Sequence, residues 1–251
     1  MLKVERHRVL IERLARDGRI GSAELARELA VSEDSIRRDL RELSARGALQ
    51  RIHGGAVPRP PVPAAYAARL ESGQPGKAAI AAAAGGLIRD GQLVFMDGGT
   101  TLLAVAERLP RDLRATIVTH APPIAGALIE HPGIEVWLAG GRIDRQLAVS
   151  TGAEAVDFLR GFRADLALLG VCAVHSRIGL TLPSPDERAA KRAMIEQAGE
   201  VIALAGAEKI ETSFACVLAP IGALNRLVTD ARLRSTQRSA YRAAGVSIMQ
   251  V

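Results

Sequence analysis

A proline-rich segment divides the chain into two unequal parts. Residues 58–63 have the sequence Pro-Arg-Pro-Pro-Val-Pro and contain four of the twelve prolines in the 251-residue chain. Proline lacks a backbone N–H and disfavours helical geometry in the preceding residue, so such a segment ends regular structure and connects folded units. We therefore predict two domains, at residues 1–57 and 76–251, joined by a linker at 58–75.

The composition is typical of a globular protein. Apolar residues make up 48% of the chain and charged residues 24%, and the mean hydropathy is +0.13. No apolar run approaches the roughly 20 residues of a membrane-spanning helix, and the chain begins with a charged helical pattern instead of a signal peptide. We expect a cytoplasmic protein with no membrane partner. The two cysteines, Cys172 and Cys216, lack C-x-x-C spacing and are expected to be reduced core residues.

The basic excess is concentrated near the N-terminus. Residues 1–59 contain 13 Lys and Arg against 9 Asp and Glu, and the whole chain has a net charge of +6. Such asymmetry suggests a polyanionic partner for this end, although solvated charged faces are common. Aromatic residues are only 3% of the chain, which argues against a protein that stacks on single-stranded bases.

Three short helical patterns precede the linker. The first stops at Gly18, the second has Ser22 as its predicted N-cap, and the third runs from its N-cap Ser32 to Gly47. A tight turn joins the second and third helices, which predicts a helix-turn-helix. Residues 49–53 then predict a short strand, and the glycine pair that follows allows a reversal into a second strand, as in a winged helix-turn-helix.

The third helix has the composition of a DNA recognition helix. Ser35 and Arg38 are candidates for base contacts near its N-terminus, whereas Arg37 and Arg41 are better placed for phosphates. The predicted DNA-binding set contains residues of the helices and of the wing: Ser22, Ser32, Ser35, Arg37, Arg38, Arg41, Arg51 and His53. The alternative is a helical bundle whose arginines pair with the four acids of the same helix.

After the linker, apolar strands alternate with amphipathic helices. Strands are predicted at residues 92–97, 115–119, 134–139, 165–171, 201–205, 215–218, 226–229 and 246–250. Continuous runs of Val, Ile and Leu between helices are typical of a mainly parallel sheet covered on both faces, and therefore of an α/β domain. In such sheets, ligands bind beyond the carboxyl ends of the strands.

Unusual polar residues follow several of these strands. Asp97 is followed by the loop 98–101, Gly-Gly-Thr-Thr, whose glycines and hydroxyls suit a phosphate, although such a turn commonly only caps a helix. His120 follows the next strand, where it can bond a ligand hydroxyl or cap the next helix. Further polar groups at strand ends are Gly140, Gly141, Arg142 and Lys209.

The remaining histidines, His7, His131 and His175, are expected at the surface. No three candidate ligands have metal-binding spacing, so we expect neither a bound metal nor a cofactor.

Two short sequences in the first domain are specific: Ile-Arg-Arg-Asp-Leu at 36–40 and Arg-Ile-His-Gly-Gly-Ala at 51–56. Through them, residues 20–56 closely resemble the DNA-binding domain of the DeoR family of bacterial transcriptional regulators. The resemblance implies a regulator, most often a repressor, of sugar or sugar-phosphate metabolism genes. Its implied partners are double-stranded operator DNA and a phosphorylated sugar or polyol effector.

The second part resembles the sensor domain of the same family, which is similar to ribose-5-phosphate isomerase. The resemblance also contributes Gly152 and the pair Glu187 and Lys191, and the complete set of implied effector-binding residues is Asp97, Gly98, Gly99, Thr100, Thr101, His120, Gly140, Gly141, Arg142, Gly152, Glu187, Lys191 and Lys209. His120 departs from the usual Asn, and residues 206–209 depart from the usual Asp-Ser-Ser-Lys. Residues 154–170 are similar to the branch that responds to glycerol-3-phosphate.

Several alternatives stay open from the sequence. Without the resemblance, Glu187 and Lys191 are an ordinary surface pair four residues apart. The second domain can be a sugar-phosphate isomerase with Glu187 as its base, or a ligand-free dimerisation domain. The attached DNA-binding domain and the lack of a catalytic triad favour a regulator that is not an enzyme. We expect a homo-oligomer, a dimer or tetramer, that spaces two recognition helices about 34 Å apart.

Overall fold

The N-terminal domain consists of three helices and a small sheet in the computed structural model, which describes residues 2–60, 64–71 and 75–251. Its elements in chain order are α1 (Lys3–Asp17), β1 (Ile20–Gly21), α2 (Ser22–Glu28), α3 (Glu33–Ala45), β2 (Gln50–Ile52) and β3 (Gly55–Val57). Strand β3 lies between β1 and β2 and is antiparallel to both. The predicted winged helix-turn-helix is confirmed.

An apolar core holds the three helices of this domain together. Leu10 and Leu14 of α1, Leu25 of α2, and Ile36 and Leu40 of α3 are all buried in one cluster. Because these residues recur at helical spacing, each helix turns one face inward and leaves its charged face to solvent. The arginines of α3 are therefore displayed by the packing of its apolar face.

The helix caps differ in one respect from the sequence-based prediction. Ser32 caps α3, because its hydroxyl accepts a hydrogen bond of 3.2 Å from the backbone N–H of Ser35. The prediction that Ser22 is an N-cap is wrong, since Gly21 occupies that position. Ser22 is instead buried, and its hydroxyl donates to the carbonyl of Gly54 in the wing turn at 3.0 Å.

The segment predicted as a linker contains regular structure. Helix α4 (Tyr66–Glu71) lies within it, and α5 (Pro75–Gly85) begins at its last residue. The prolines of residues 61–63, which contributed to the linker prediction, lie outside the described residues. We refer to residues 58–75 as the connector.

A seven-stranded parallel sheet forms the centre of the C-terminal domain. The strands of this domain in chain order are β4 (Leu93–Met96), β5 (Ala115–Thr119), β6 (Ile134–Leu138), β7 (Arg142–Asp144), β8 (Val149–Thr151), β9 (Ala164–Gly170), β10 (Ala173–His175), β11 (Gly179–Leu182), β12 (Ala198–Ala205), β13 (Cys216–Ala219), β14 (Arg226–Thr229) and β15 (Ser247–Gln250). The main sheet has the order β15-β14-β12-β9-β4-β5-β6, and all its neighbouring strands are parallel. The predicted parallel α/β architecture is confirmed.

Helices cover both faces of this sheet. The further helices are α6 (Thr100–Ala106), α7 (Pro122–Leu128), α8 (Ala153–Arg160), α9 (Arg188–Glu196) and α10 (Ser235–Ala243). Helices α5, α6 and α7 contribute to one apolar cluster, and α8, α9 and α10 contribute to a second. None of the helices in the described part of the chain has the length and apolar character needed to cross a bilayer.

Two sequence-based predictions are wrong in the smaller sheets. The strand predicted at 215–218 does not join the parallel sheet; as β13 it pairs with β11 in an antiparallel sheet with β10. His175, predicted at the surface, is buried in β10, with Nε2 3.7 Å from a carboxylate oxygen of Glu211. Burial lowers the pKa of His175, although the Glu211 charge opposes the shift.

Candidate functional sites

The buried acid of α3 is bound by α1 and not by the arginines of its own helix. Asp39 accepts hydrogen bonds from the Arg6 guanidinium and from His7 Nε2, the latter at 3.1 Å. His7, predicted at the surface, is thus largely covered. Burial by itself raises the pKa of Asp39, but the hydrogen bonds from Arg6 and His7 hold that pKa below its usual value. Glu42 likewise pairs with Lys3 of α1 at 2.6 Å.

The exposed face of α3 carries three arginines. Arg37 pairs with Glu33 at 2.8 Å and with Asp34 at 3.9 Å. Arg38 and Arg41 are exposed, and within residues 2–60, 64–71 and 75–251 neither has an ion pair. The bundle alternative thus accounts for Arg37 alone. Because an exposed pair contributes at most about 1 kcal/mol, Arg37 can exchange its partners for a phosphate at little cost.

The other predicted DNA contacts divide into exposed and buried residues. Arg51 and His53 of the wing are exposed, and Ser35 is half-buried with its hydroxyl 2.9 Å from that of Ser32. Ser22 is buried behind the wing turn and holds it in place. This position gives Ser22 a structural role, and we leave it out of the proposed interface.

A cavity of about 550 Å³ lies at the carboxyl ends of the strands in the main sheet. It is bordered by the loop 98–101 after β4, by residues 170–172 at the end of β9 and by Lys209 after β12. Thr100 begins α6, and its backbone N–H and that of the next residue have no acceptor within the helix. Seven of the predicted effector residues line this cavity: Gly98, Gly99, Thr100, Thr101, Glu187, Lys191 and Lys209.

A buried ionic network lies at the base of the cavity. Asp97 Oδ2 accepts from the backbone N–H of Gly170 at 2.9 Å and from the Lys191 ammonium. The ammonium also donates to the Gly170 carbonyl at 2.8 Å and lies 3.5 Å from Glu187 Oε2. Burial opposes the charge on Asp97, but Lys191 and His120 lower its pKa to about 2. The surface-pair interpretation of Glu187 and Lys191 is therefore wrong.

His120 belongs to the same network. Its Nε2 is 3.1 Å from Asp97 Oδ1, and its ring is buried. Ala121 is the N-cap of α7 and no side chain of the described residues caps that helix, so the capping interpretation of His120 is wrong. Nδ1 of His120 has no hydrogen-bond partner among the described residues. The side chain thus orients Asp97 from behind the cavity and does not line it.

Four basic side chains from separate elements meet at the cavity besides Lys191. They are Arg59, Arg69, Lys77 and Lys209. Burial lowers the pKa of Lys77, and the charges of Lys209 and Arg69 lower it further. Burial also lowers the pKa of Lys209, against the opposing charge of Glu208. A site whose cations lower one another's pKa is stabilised by a bound anion.

Hydrogen-bond acceptors complete the lining. Asp144 lies at the end of β7, where one carboxylate oxygen accepts from the backbone N–H groups of Gln146 and Leu147 at 2.8 and 3.0 Å. Asp186 and Glu187 add carboxylates from the start of α9. Such acceptors suit the hydroxyls of a polyol. Cys172, predicted as a core residue, also lines the cavity, and burial raises the pKa of its thiol.

Besides Asp97 and His120, which lie beneath the cavity, four predicted effector residues lie outside the lining: Gly140, Gly141, Arg142 and Gly152. Gly141 has φ +129°, and a Cβ there would lie 2.8 Å from the carbonyl oxygen of Thr151, so the backbone requires glycine. Gly152 has φ +106° and is the N-cap of α8. Arg142 begins β7 and is exposed. The cavity is lined instead by Asp144, Gln146 and Leu147 of the hairpin formed by β7 and β8.

The connector residues Arg59 and Arg69, together with Lys77, were missed by sequence reasoning. Two of them belong to the segment interpreted as a linker, and the third lies at the start of a helix with no other polar signal. Only the path of the chain across the carboxyl edge of the sheet brings them to the cavity.

Comparison with known proteins identifies relatives for both domains. A family model of the DeoR-like helix-turn-helix domain matches residues 6–59, and a model of the DeoR C terminal sensor domain matches residues 73–231. The transcriptional regulator GlpR of Haloferax volcanii is 36% identical over 99% of this chain and 98% of its own. The glycerol-3-phosphate regulon repressor of Escherichia coli is 30% identical over 92% of each chain.

Solved structures give partial matches to this chain. The ribose 5-phosphate isomerase A of Methanocaldococcus jannaschii superposes with a TM-score of 0.40 and 15% sequence identity over 53% of each chain. The match thus covers about half of that enzyme.

Proposed function

Because the chain belongs to the DeoR family of transcriptional regulators, we propose that it represses genes of sugar or polyol catabolism in response to a phosphorylated effector. The family matches cover both the DNA-binding and the sensor domain, and the relatives that match over nearly the whole chain are named as regulators. The chain is therefore a DNA-binding transcriptional regulator, and the isomerase alternative is not favoured. The proposal concerns the effector, its site and the operator contacts.

The convergence of basic groups and N–H donors in one cavity carries the proposal for the effector. Lys77 and Lys209 supply positive charge, and the 98–101 loop supplies hydroxyls and the free N–H groups of a first helical turn. Hydrogen bonds from charged donors to a phosphate are roughly twice as strong as neutral ones. Asp144 and Glu187 offer acceptors for the hydroxyls of the carbon chain. The volume of about 550 Å³ lies within the usual range of small-molecule sites.

The network beneath the cavity has a supporting role in this proposal. Lys191 neutralises Asp97 and fixes the end of β9 through the Gly170 carbonyl. Because Asp97 and Glu187 already neutralise the charge of Lys191, Lys77 and Lys209 are better candidates for binding the phosphate. Among the phosphorylated polyols, glycerol 3-phosphate is a reasonable first candidate, because one relative is named for the glycerol-3-phosphate regulon.

Double-stranded operator DNA is the proposed partner of the N-terminal domain. We assign Ser35 and Arg38 to base edges, because both lie near the start of α3, the end of a recognition helix that enters the major groove. Arg37, Arg41 and the wing are assigned to phosphates. A homo-oligomer presents two such helices to successive major grooves, and effector binding changes operator affinity by favouring one arrangement of the protein.

Calorimetry with matched pairs of ligands tests the effector site. We expect glycerol 3-phosphate or glucose 6-phosphate to bind, and glycerol and glucose to bind far more weakly. Lys209→Met should weaken the phosphorylated ligand by roughly tenfold or more, because a charge-assisted hydrogen bond is lost. Lys3→Met, in the other domain, is the control and should bind as the wild type does. Equal affinities for the phosphorylated ligand in Lys209→Met and wild type would contradict the proposed site.

A further inference from the structure

Described residues of the connector form part of the wall of the cavity. Arg59 and Pro60 follow the wing strand β3 directly, and both line the cavity, as does Ala64. The carbonyl of Pro58 accepts a hydrogen bond of 3.0 Å from the backbone N–H of Ser213 in the sensor domain. The chain that leaves the DNA-binding domain is thus attached to the sensor domain at the same place where it borders the cavity.

Arg59 connects three parts of the molecule. Its guanidinium carbon lies 5.8 Å from the centroid of the Phe214 ring, within cation–π distance. Its Nη1 atom lies 3.7 Å from the position that a Cβ would take on Gly47, just beyond the C-terminal end of α3. The carbonyl end of a helix carries a partial negative charge and favours a cation nearby. The half-buried Arg59 side chain therefore lies between the cavity, Phe214 of the sensor domain and the recognition helix α3.

The partners of Arg59 are weak compared with a phosphate. Within the described part of the chain, no carboxylate forms an ion pair with its guanidinium; an aromatic ring and a helix end lie beside it. A guanidinium binds a phosphate through two parallel charge-assisted hydrogen bonds, which are stronger than either of these contacts. A phosphate in the cavity thus competes for the same side chain.

We propose that Arg59 is an effector-binding residue and that it couples occupancy of the cavity to the position of the recognition helix. This inference rests on the proposed function, since it requires an anionic effector in the cavity. When the anion binds, the guanidinium turns toward it and its contacts with Phe214 and the end of α3 weaken. The equilibrium between positions of the DNA-binding domain shifts accordingly, and operator affinity changes with it.

A second contact between the domains provides a matched control. Arg234 Nη1 donates to the carbonyl of Arg16 at the C-terminal end of α1, at 3.2 Å. Like Arg59, this arginine bridges the two domains at the end of a helix, but it does not line the cavity. Substitution of Arg234 therefore perturbs the domain contact without removing an effector contact.

The test measures effector affinity and operator response in the same variants of the full chain. Operator DNA is selected by the protein from a random duplex library, with and without glycerol 3-phosphate or glucose 6-phosphate. In Arg59→Ala we expect roughly tenfold weaker calorimetric binding of the phosphorylated compound, as for the loss of a charge-assisted contact. The change in operator affinity at saturating compound should also be lost. Arg59→Lys keeps the charge and should show an intermediate response.

Two control variants separate coupling from binding. Lys209→Met should bind the compound weakly but respond fully once saturated, and Arg234→Ala should bind it with wild-type affinity. If wild type binds neither compound, the proposed function fails and this inference with it. If wild type binds but Arg59→Ala shows unchanged affinity and an unchanged operator response, the proposed function stands and the role of Arg59 is overturned.

Discussion

Replacing Lys191 by Met is expected to destabilise the sensor domain strongly. The Lys191 side chain is 2% exposed, and Asp97 is fully buried beside it. Met retains the length of the side chain but removes the ammonium that Asp97 and the Gly170 carbonyl share. Among the described residues, Asp97 would then keep only the backbone N–H of Gly170 and the ring of His120 as partners.

The size of the loss follows from leaving one charge of a buried pair without its partner. Removing one member of such a pair typically costs about 3–5 kcal/mol, whereas removing both can be nearly neutral. The double variant Asp97→Asn/Lys191→Met should therefore recover most of the loss. Lys209→Met should cost less than about 1 kcal/mol, because Lys209 is half-buried and its ammonium forms an ion pair with no buried carboxylate of the described residues.

Fluorescence from Trp137 provides the assay. Trp137 is the single tryptophan of the chain and lies in β6 of the main sheet, 5.5 Å from the ring of Phe162. Urea unfolding monitored at this residue reports on the sensor domain and not on the DNA-binding domain. If Lys191→Met and Lys209→Met lost the same small free energy of unfolding, Lys191 would not be neutralising Asp97.

Three further predictions concern other contacts. Arg38→Ala should cost about 1–3 kcal/mol of operator binding and relax sequence preference. Arg37→Ala should weaken binding to all sequences and reduce the slope of log affinity against log salt concentration by the equivalent of about one phosphate contact. Gel shifts over a salt series test both variants. Thr100→Val keeps the packing of a residue that is 8% exposed, and it should weaken a phosphorylated effector by about 1.5–3 kcal/mol in calorimetry. Because the folded-state pKa of Asp39 is lowered, its contribution to stability is present above the usual value of about 3.9 and disappears as the pH falls through the lowered pKa. Asp39→Asn should remove this acid dependence of N-terminal helicity, measured by circular dichroism.

The helices and strands could be predicted from the sequence, because they depend on the spacing of apolar residues and on capping residues. Apolar residues at helical spacing located the three N-terminal helices, and continuous apolar runs located the strands of the parallel sheet. The same signals cannot assign a strand to a sheet. Residues 215–218 form a strand, but β13 pairs with β11, because pairing is decided by contacts distant in sequence.

The partners of the charged side chains were harder to predict from the sequence, because they too are distant in sequence. Spacing placed Lys191 four residues from Glu187, but its main partner is Asp97, 94 residues away in the chain. The helical-bundle alternative paired Asp39 with an arginine of α3, but Arg6 of α1 binds it. The connector was interpreted from its prolines alone, so the contribution of Arg59 to the cavity became visible only in three dimensions.

The reciprocal linkage between effector and operator tests the account most directly. Operator affinity is measured with and without saturating glycerol 3-phosphate or glucose 6-phosphate, and the affinity for that compound is measured with and without saturating operator. If the cavity controls DNA binding, both affinities change by the same factor, because the coupling free energy is shared by the two sites. A compound that binds the cavity tightly but leaves operator affinity unchanged would contradict the account.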